Sequence, residues 1–302
     1  MRTIKVLGAG LDAVLSKSKE HGLLVVALNI HYHFPLAMPR AIVPGQLSDE
    51  KIQMDLQTQF NQYPADKFKF TLGAGSSLDA NSNSITVTLK KGGQKAVKYD
   101  HLILVTRSSV KNGMPWNLGA STDTTLDSLH RLQDKIRKPQ TVVVAGSGLR
   151  ETETASELGF GYASQGQKEV IFIYNDELPL SSNVLESVRE QAVAELTNLG
   201  VKVMPKTNVT DATTEGANKI IKVTHLTKNL PTFLAGGQMP EYAANSRKFY
   251  GIALGRNRAT GQMDNFKLFS LLVWYSKGRL LFTDIAPVMS TEKRMMSVSF
   301  EK

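Results

Sequence analysis

Two short glycine runs hold the residues of this chain best suited to chemistry. In Gly8-Ala9-Gly10-Leu11-Asp12-Ala13 and again in Gly146-Ser147-Gly148-Leu149-Arg150-Glu151, glycines two apart follow an apolar stretch, residues 4–7 in the first run and 141–144 in the second. Each run reads as strand, tight turn, helix. The first-turn N–H groups of such a helix lack intrahelical partners, and with the helix dipole they form a site for a pyrophosphate. Glycine is needed at Gly10 and Gly148, where a Cβ would hold the phosphate away. The third position calls for a small residue that lets helix and strand pack closely. Ala13 meets that demand. Glu151 does not: its carboxylate must either crowd the strand or swing out beside the phosphate, where its charge opposes the ligand. Two such units predict two bound nucleotides.

A dinucleotide also needs a partner for its ribose hydroxyls, normally at the end of the next strand. After the first unit, residues 22–30 read as that strand, and Asn29 lies about twenty residues beyond the glycines, able to hydrogen-bond a ribose without supplying a carboxylate. After the second, the strand at 169–174 leads into Asn175-Asp176-Glu177. An acidic group at Asp176 accepts from a ribose 2′-hydroxyl and repels a 2′-phosphate, which favours NADH over NADPH. His31 and His33, two apart with no third ligand near, predict no metal site.

Composition limits what else the chain can do. Its 302 residues suffice for two domains with full cores, and 41% hydrophobic against 21% charged residues describes a globular chain. The absence of cysteine excludes disulfides, zinc–thiolate sites and redox-active thiol pairs, so any redox work belongs to a bound cofactor. The chain enters an apolar strand at Ile4 without a basic leader region, and no run has the length of a membrane span. The expected location is cytoplasmic, with attachment to a membrane surface left open. The net charge of +9 is concentrated late: residues 247–302 carry ten Lys and Arg against four Asp and Glu. With no nucleic-acid-binding motif present, a solvated basic surface is expected rather than contact with nucleic acid or an anionic membrane.

The elements that must position these residues follow from pattern. Residues 49–63 have amphipathic helical spacing, 68–72 and 84–89 read as strands, Lys90-Lys91-Gly92-Gly93 as a turn, and 99–106 as a buried strand. A helix over 123–138 leads into the second glycine run. A helix over 191–199 ends at Gly200 as its C-cap, with a strand at 201–204 beyond. Residues 268–282 are apolar at nearly every position before Lys277. As a helix they would have no polar face, and the expectation is burial within the protein with part of the helix left exposed, a dimer contact or a membrane-surface contact being the alternatives.

The order of Gly8-x-Gly10-x-x-Ala13, the segment from His33 to Ala41, Tyr99-Asp100-His101-Leu102-Ile103-Leu104-Val105-Thr106 and the run at Gly146 resembles the two-dinucleotide-binding flavoproteins. Within these the chain is similar to the fungal apoptosis-inducing-factor-like oxidoreductases, as is its ending, Leu254-Gly255-Arg256-Asn257-Arg258-Ala259-Thr260-Gly261-Gln262-Met263 followed by Leu271-Leu272-Val273-Trp274 and Lys277-Gly278-Arg279. The resemblance implies an α/β fold of two Rossmann-like domains, FAD/NAD(P)-binding and glutathione-reductase-like. It implies FAD and NADH or NADPH as cofactors, with electrons passing from the nicotinamide through flavin to a quinone-like acceptor. Gly8, Gly10 and Ala13 would meet the FAD pyrophosphate, Asn29 its ribose, and Arg40 would lie near the flavin. Thr106 matches the threonine of the turn at which the chain leaves the FAD domain. Gly146 and Gly148 would meet the nicotinamide cofactor's pyrophosphate, and Glu153 matches the glutamate beside the nicotinamide ring.

Domains are expected at 1–115 for FAD, completed by 223–246, at 116–222 for NAD(P)H, and at 247–302 as a C-terminal interface segment. The fold is expected to be incomplete, because the family's strand ending in Gly-Asp has no counterpart and a block near Ile220 is missing. Two functions stay open: a flavin-dependent oxidoreductase, and a degenerate relative acting through protein or membrane contacts. The missing aspartate normally holds the FAD ribityl chain by charge-assisted hydrogen bonds. FAD should therefore bind at least about tenfold more weakly than in an intact relative, which the flavin retained through gel filtration measures.

Overall fold

The computed structural model describes residues 2–7, 21–61, 63–104, 114–117, 119, 121–215, 218–225 and 248–287. They fall into two compact units, one of residues 1–134 with 282–302 and one of 135–281.

The first unit is built on a six-stranded sheet. Strands β1 (Arg2–Leu7), β2 (His21–Ala27), β5 (Phe68–Asp79) and β8 (His101–Leu104) are parallel, in the order β5-β2-β1-β8, the order in which a doubly wound α/β sheet begins. Parallel strands are covered on both faces, so β2 is a continuous apolar run. Leu23 and Val25 pack with Leu56 and Phe60 of α2 (Leu56–Phe60) on one face, and Val26 packs with Ile85, Val87 and Val97 on the other. Those last residues belong to β6 (Ser84–Leu89) and β7 (Gln94–Lys98), which extend the sheet antiparallel beyond β5. β5 serves both parts: it pairs parallel with β2 as far as Leu72 and antiparallel with β6 from Gly73 onward. At Gly73 a Cβ would stand 2.5 Å from the carbonyl of Thr88, so only glycine fits the crossing.

One expected helix is not formed as a whole. In residues 49–63, β4 (Gln53–Asp55) pairs antiparallel with β3 (His31–His33), and only then does Asp55 cap α2, its carboxylate accepting from the N–H groups of Gln57 and Thr58. Pairing across the chain outweighs the helical periodicity of the first half of this stretch. A short helix α1 (Met38–Ala41) is wholly buried, and α3 (Thr122–Arg137) forms where expected.

The second unit carries a three-stranded parallel sheet, β11-β10-β9, from β9 (Thr141–Ala145), β10 (Glu169–Ile173) and β11 (Lys202–Met204). The strands alternate with α4 (Leu149–Gly161) and α5 (Glu186–Asn198), and Gly200, at φ 76°, closes α5 as expected. A hairpin of β12 (Thr207–Glu215) and β13 (Asn218–His225) follows, in which Ile220 pairs with Thr213. Residues 248–281, assigned from sequence to a separate C-terminal segment, lie in this unit. Ile252 and Leu254 of β14 (Phe249–Leu254) share a core with Val188 and Ala192 of α5, and β15 (Arg258–Met263) and β16 (Phe266–Lys267) complete an antiparallel sheet.

Residues 268–282 correct the sequence reading most clearly. They form a short α6 (Ser270–Val273) and a π-helical turn at Trp274–Gly278. Val273 and Leu281 are buried, but Phe269, Leu271, Leu272 and Tyr275 are exposed. Apolar composition demanded cover, yet a helix of one turn can turn only one side inward.

Phe172, at the centre of the parallel sheet, is fully buried and stacks at a tilt against Tyr174, 5.0 Å between ring centroids. Phe172→Ala should lower stability by about 3–5 kcal/mol, read as a shift of the urea unfolding transition.

Candidate dinucleotide-binding sites

In the first unit the glycine run begins directly after β1, and Gly8, Gly10 and Ala13 lie outside the described residues, as does Thr106 beyond β8. The ribose candidate is described. Asn29 stands just past the carboxyl end of β2 and is 3% exposed. Its Nδ2 donates to the carbonyl of Gly119 at 3.2 Å, while its Oδ1 is buried with no hydrogen-bond partner among the described residues. Gly119 is itself fixed by the start of α3: its N–H donates to Thr125 Oγ1 at 2.7 Å, and that hydroxyl donates to the carbonyl of Ser121. A buried acceptor left unpaired costs about 1–3 kcal/mol, and a ribose hydroxyl would satisfy it. FAD therefore fits the residues present. Sequence reasoning missed Gly119 and Thr125, which orient Asn29 from about ninety residues away and belong to no motif.

Arg40, in α1, is 4% exposed among Met38, Pro39 and Ala41. Of the two histidines, His31 Nδ1 meets Thr122 Oγ1 at 2.9 Å, and His33 Nδ1 meets Gln53 Nε2 at 3.0 Å.

In the second unit the glycine turn has the geometry its sequence requires. Gly146 adopts φ 119°, which only glycine takes without strain, and its N–H donates to the carbonyl of Ile173, joining the turn to β10. Gly148 is the N-cap of α4 and supplies no side-chain cap. Glu151 resolves the choice posed by its position by turning outward over the glycines. A Cβ placed on Gly148 would stand 2.3 Å from Glu151 Oε2. The first turn of α4 thus has a carboxylate of its own chain at the place where a pyrophosphate oxygen would approach.

Asp176 lies just past the end of β10, exposed, with Ser147 Oγ donating toward its Oδ2 at 3.4 Å. That contact links the ribose candidate to the glycine turn itself. Beside it Glu177 pairs with Lys206 at 2.9 Å, and the hydrogen bond and charge of that ammonium hold the carboxyl below its ordinary range. Burial pushes the phenol of Tyr174, at the root of this loop, up to about 12.

Glu153 is buried on the opposite side of α4. It is 5% exposed, and its Oε1 accepts from the N–H of Ala253 at 3.1 Å and from Lys277 Nζ at 2.6 Å. Lys277, 7% exposed, also donates to the carbonyl of Gly251 at 2.6 Å. Nearby, Ser156 Oγ donates to the carbonyl of Ala253 and accepts from the N–H of Gly255. The sequence singled out Glu153 but named Lys277 only as part of the ending that carries the resemblance; nothing local marks it as the partner of a residue 124 positions away.

Two outcomes follow. Glu151→Gly should tighten NADH binding by about fivefold, the value of about 1 kcal/mol for one charge at a helix N-terminus; Glu151→Gln should give much of the same gain if charge rather than bulk is responsible, and calorimetry separates the two. Lys277→Met should cost about 3–5 kcal/mol by leaving Glu153 buried and unpaired, with much of the loss recovered in Glu153→Gln/Lys277→Met, as read by chemical denaturation.

Against known proteins, the profile of the pyridine nucleotide-disulphide oxidoreductase family matches residues 8–235. The oxidoreductase ptaL of Pestalotiopsis fici is 25% identical over 355 aligned positions, covering 90% of this chain and 94% of that protein. Ferroptosis suppressor protein 1 of Homo sapiens is 23% identical over 67% of this chain and 51% of its own length. Among solved structures, NDH2 from Plasmodium falciparum in complex with NADH superimposes with a TM-score of 0.54 at 14% identity, covering 70% of this chain and 49% of that one. The chain thus spans about half the length of the latter two proteins. The family's two cofactors are FAD and a nicotinamide dinucleotide, and the disulphide of its name has no counterpart in a chain without cysteine. With its two Rossmann-type units and its match from Gly8 to beyond the second hairpin, the chain belongs to the pyridine nucleotide-disulphide oxidoreductase family and is a pyridine nucleotide-dependent flavin oxidoreductase.

Proposed function

We propose that this oxidoreductase belongs to the apoptosis-inducing-factor-like branch and passes electrons from NADH to a quinone-like acceptor. When bound, FAD would accept hydride from the nicotinamide and hand the electrons on to the acceptor. The observation that carries the reading is the orphaned Oδ1 of Asn29, a buried acceptor at the ribose position of the first sheet. Gly8, Gly10 and Ala13 are assigned to the FAD pyrophosphate, Arg40 to the region of the flavin, and Thr106 to the turn leaving the FAD unit. Gly146 and Gly148 are assigned to the second pyrophosphate and Asp176 to its ribose, where the carboxylate favours NADH. Glu153, held by Lys277 and the Ala253 N–H, is assigned to the nicotinamide side. The absence of cysteine supports an external acceptor, since no thiol pair within the chain can receive the electrons.

Two observations support the loss of a block. The alignment to ptaL is longer than this chain, and β8 ends the described six-stranded sheet at the edge where a further parallel strand would add. A second reading, a catalytically weak relative acting through contacts, is favoured by the Glu151 carboxylate at the second glycine turn.

Anaerobic reconstitution with FAD separates the two readings. The oxidoreductase should bind flavin, lose its visible flavin absorbance on addition of NADH, and recover it with a soluble quinone analogue. Asn29→Leu should weaken FAD binding by about tenfold through loss of the amide acceptor. A protein that takes up no flavin, or binds it without reduction by NADH or NADPH, sustains the second reading.

A further inference from the structure

The sheet β14-β15-β16 and α6 carry a set of exposed apolar side chains that the flavin chemistry does not use. The pairing register sets Phe249 opposite Met263, and Met263 opposite Phe266, so one row of three large side chains crosses the sheet on a single face. All three are exposed, at 60%, 48% and 74%. The same face receives α6: Gly251, two residues along from Phe249, and its cross-strand partner Gly261 both lie against Val273, where a Cβ would come within 3.6 and 3.2 Å of that side chain. With Val273 turned inward, Phe269, Leu271, Leu272 and Tyr275 project outward and continue the row.

The charges around this face are mostly basic. Lys248 and Lys267 neighbour Phe249 and Phe266 in sequence and so leave the strands on the opposite side, where Lys267 Nζ donates to the Ser187 carbonyl at 2.9 Å, while Arg279 lies over the Tyr275 ring at 5.2 Å. Arg256, whose carbonyl accepts from the Trp274 indole, and Arg258 are exposed at the hairpin end, Arg258 standing 4.0 Å from Glu195. Within 248–281 the one acidic residue is Asp264, whose carboxylate accepts from the Lys248 N–H.

We infer that this face docks on an anionic lipid bilayer. Apolar and aromatic side chains enter the boundary between headgroups and acyl chains while the surrounding Arg side chains lie at the level of the headgroup charges. A two-fold contact with a second copy would bring each basic rim against its own kind, which costs energy where an anionic surface gains it. Among the described residues no helix is long and apolar enough to cross a membrane, so the contact is with the surface.

The test is co-sedimentation of the full chain with phosphatidylcholine vesicles, with and without phosphatidylserine, and it needs no turnover, so its result is independent of the assigned reaction. Binding should require phosphatidylserine and weaken as salt rises. Phe266→Ser/Leu271→Ser should weaken binding at least about tenfold, and so should Arg256→Glu/Arg279→Glu, with thermal melting unchanged for the first pair because its side chains are already in solvent. No binding to phosphatidylserine vesicles at low salt overturns the inference, as does binding that both double variants leave intact. A concentration-dependent dimer that the serine variant disperses, without vesicle binding, assigns the face to a second copy and overturns it as well.

Discussion

Two opposite charges taken out of water have to remain together, and in this chain that requirement joins its end to its middle. Glu153 lies on α4 and Lys277 on the turn after α6, each almost wholly buried, with the backbone of β14 supplying their remaining hydrogen bonds. Such a pair adds little net stability over an apolar substitute, but it penalises every arrangement in which the partners separate. The C-terminal sheet is thereby tied to the second unit. With Val273, Lys277 and Leu281 all turned inward, the segment from α6 onward has no further surface with which to cover Leu271 and Leu272.

The two glycine units differ in the same currency of unsatisfied groups. At the first, the chain leaves an acceptor open, the Oδ1 of Asn29. At the second, the chain places its own anion over the open donors of a helix, the carboxylate of Glu151 at Gly148. On the proposed assignment, the first site offers an acceptor to a hydroxyl, whereas the second sets a carboxylate against a phosphate. This asymmetry makes flavin and nicotinamide affinity separate questions in this chain.

Much of the fold was legible because its signals are local. The continuous apolar run of β2, the glycine turn into α4 and the Gly200 cap are each determined within a few residues, and each appears where expected. The sequence failed where distant pairing decided: residues 53–55 became a strand because β3 lay opposite, and residues 268–282 became two short helical turns buried on one side alone because β14 and β15 offered one face. The site followed the same division. Asn29, Asp176 and Glu153 could be singled out by spacing or resemblance, but Gly119 and Lys277, which position them, are brought near only by the finished fold.

The double allegiance of β5 bears on how the first unit assembles. Pairing β5 with β6 and β6 with β7 closes loops of only a few residues, whereas setting β1 beside β8 brings together positions such as Ile4 and His101 across most of the unit's length. Short closures are entropically cheap and long ones slow. The antiparallel meander is therefore placed to form first, and because its outer strand continues through Gly73 into the parallel sheet, it presents β2 with a ready-made edge. On loop-closure grounds, the antiparallel meander at the edge of the finished sheet is thus the part of the first unit that closes at the least entropic cost.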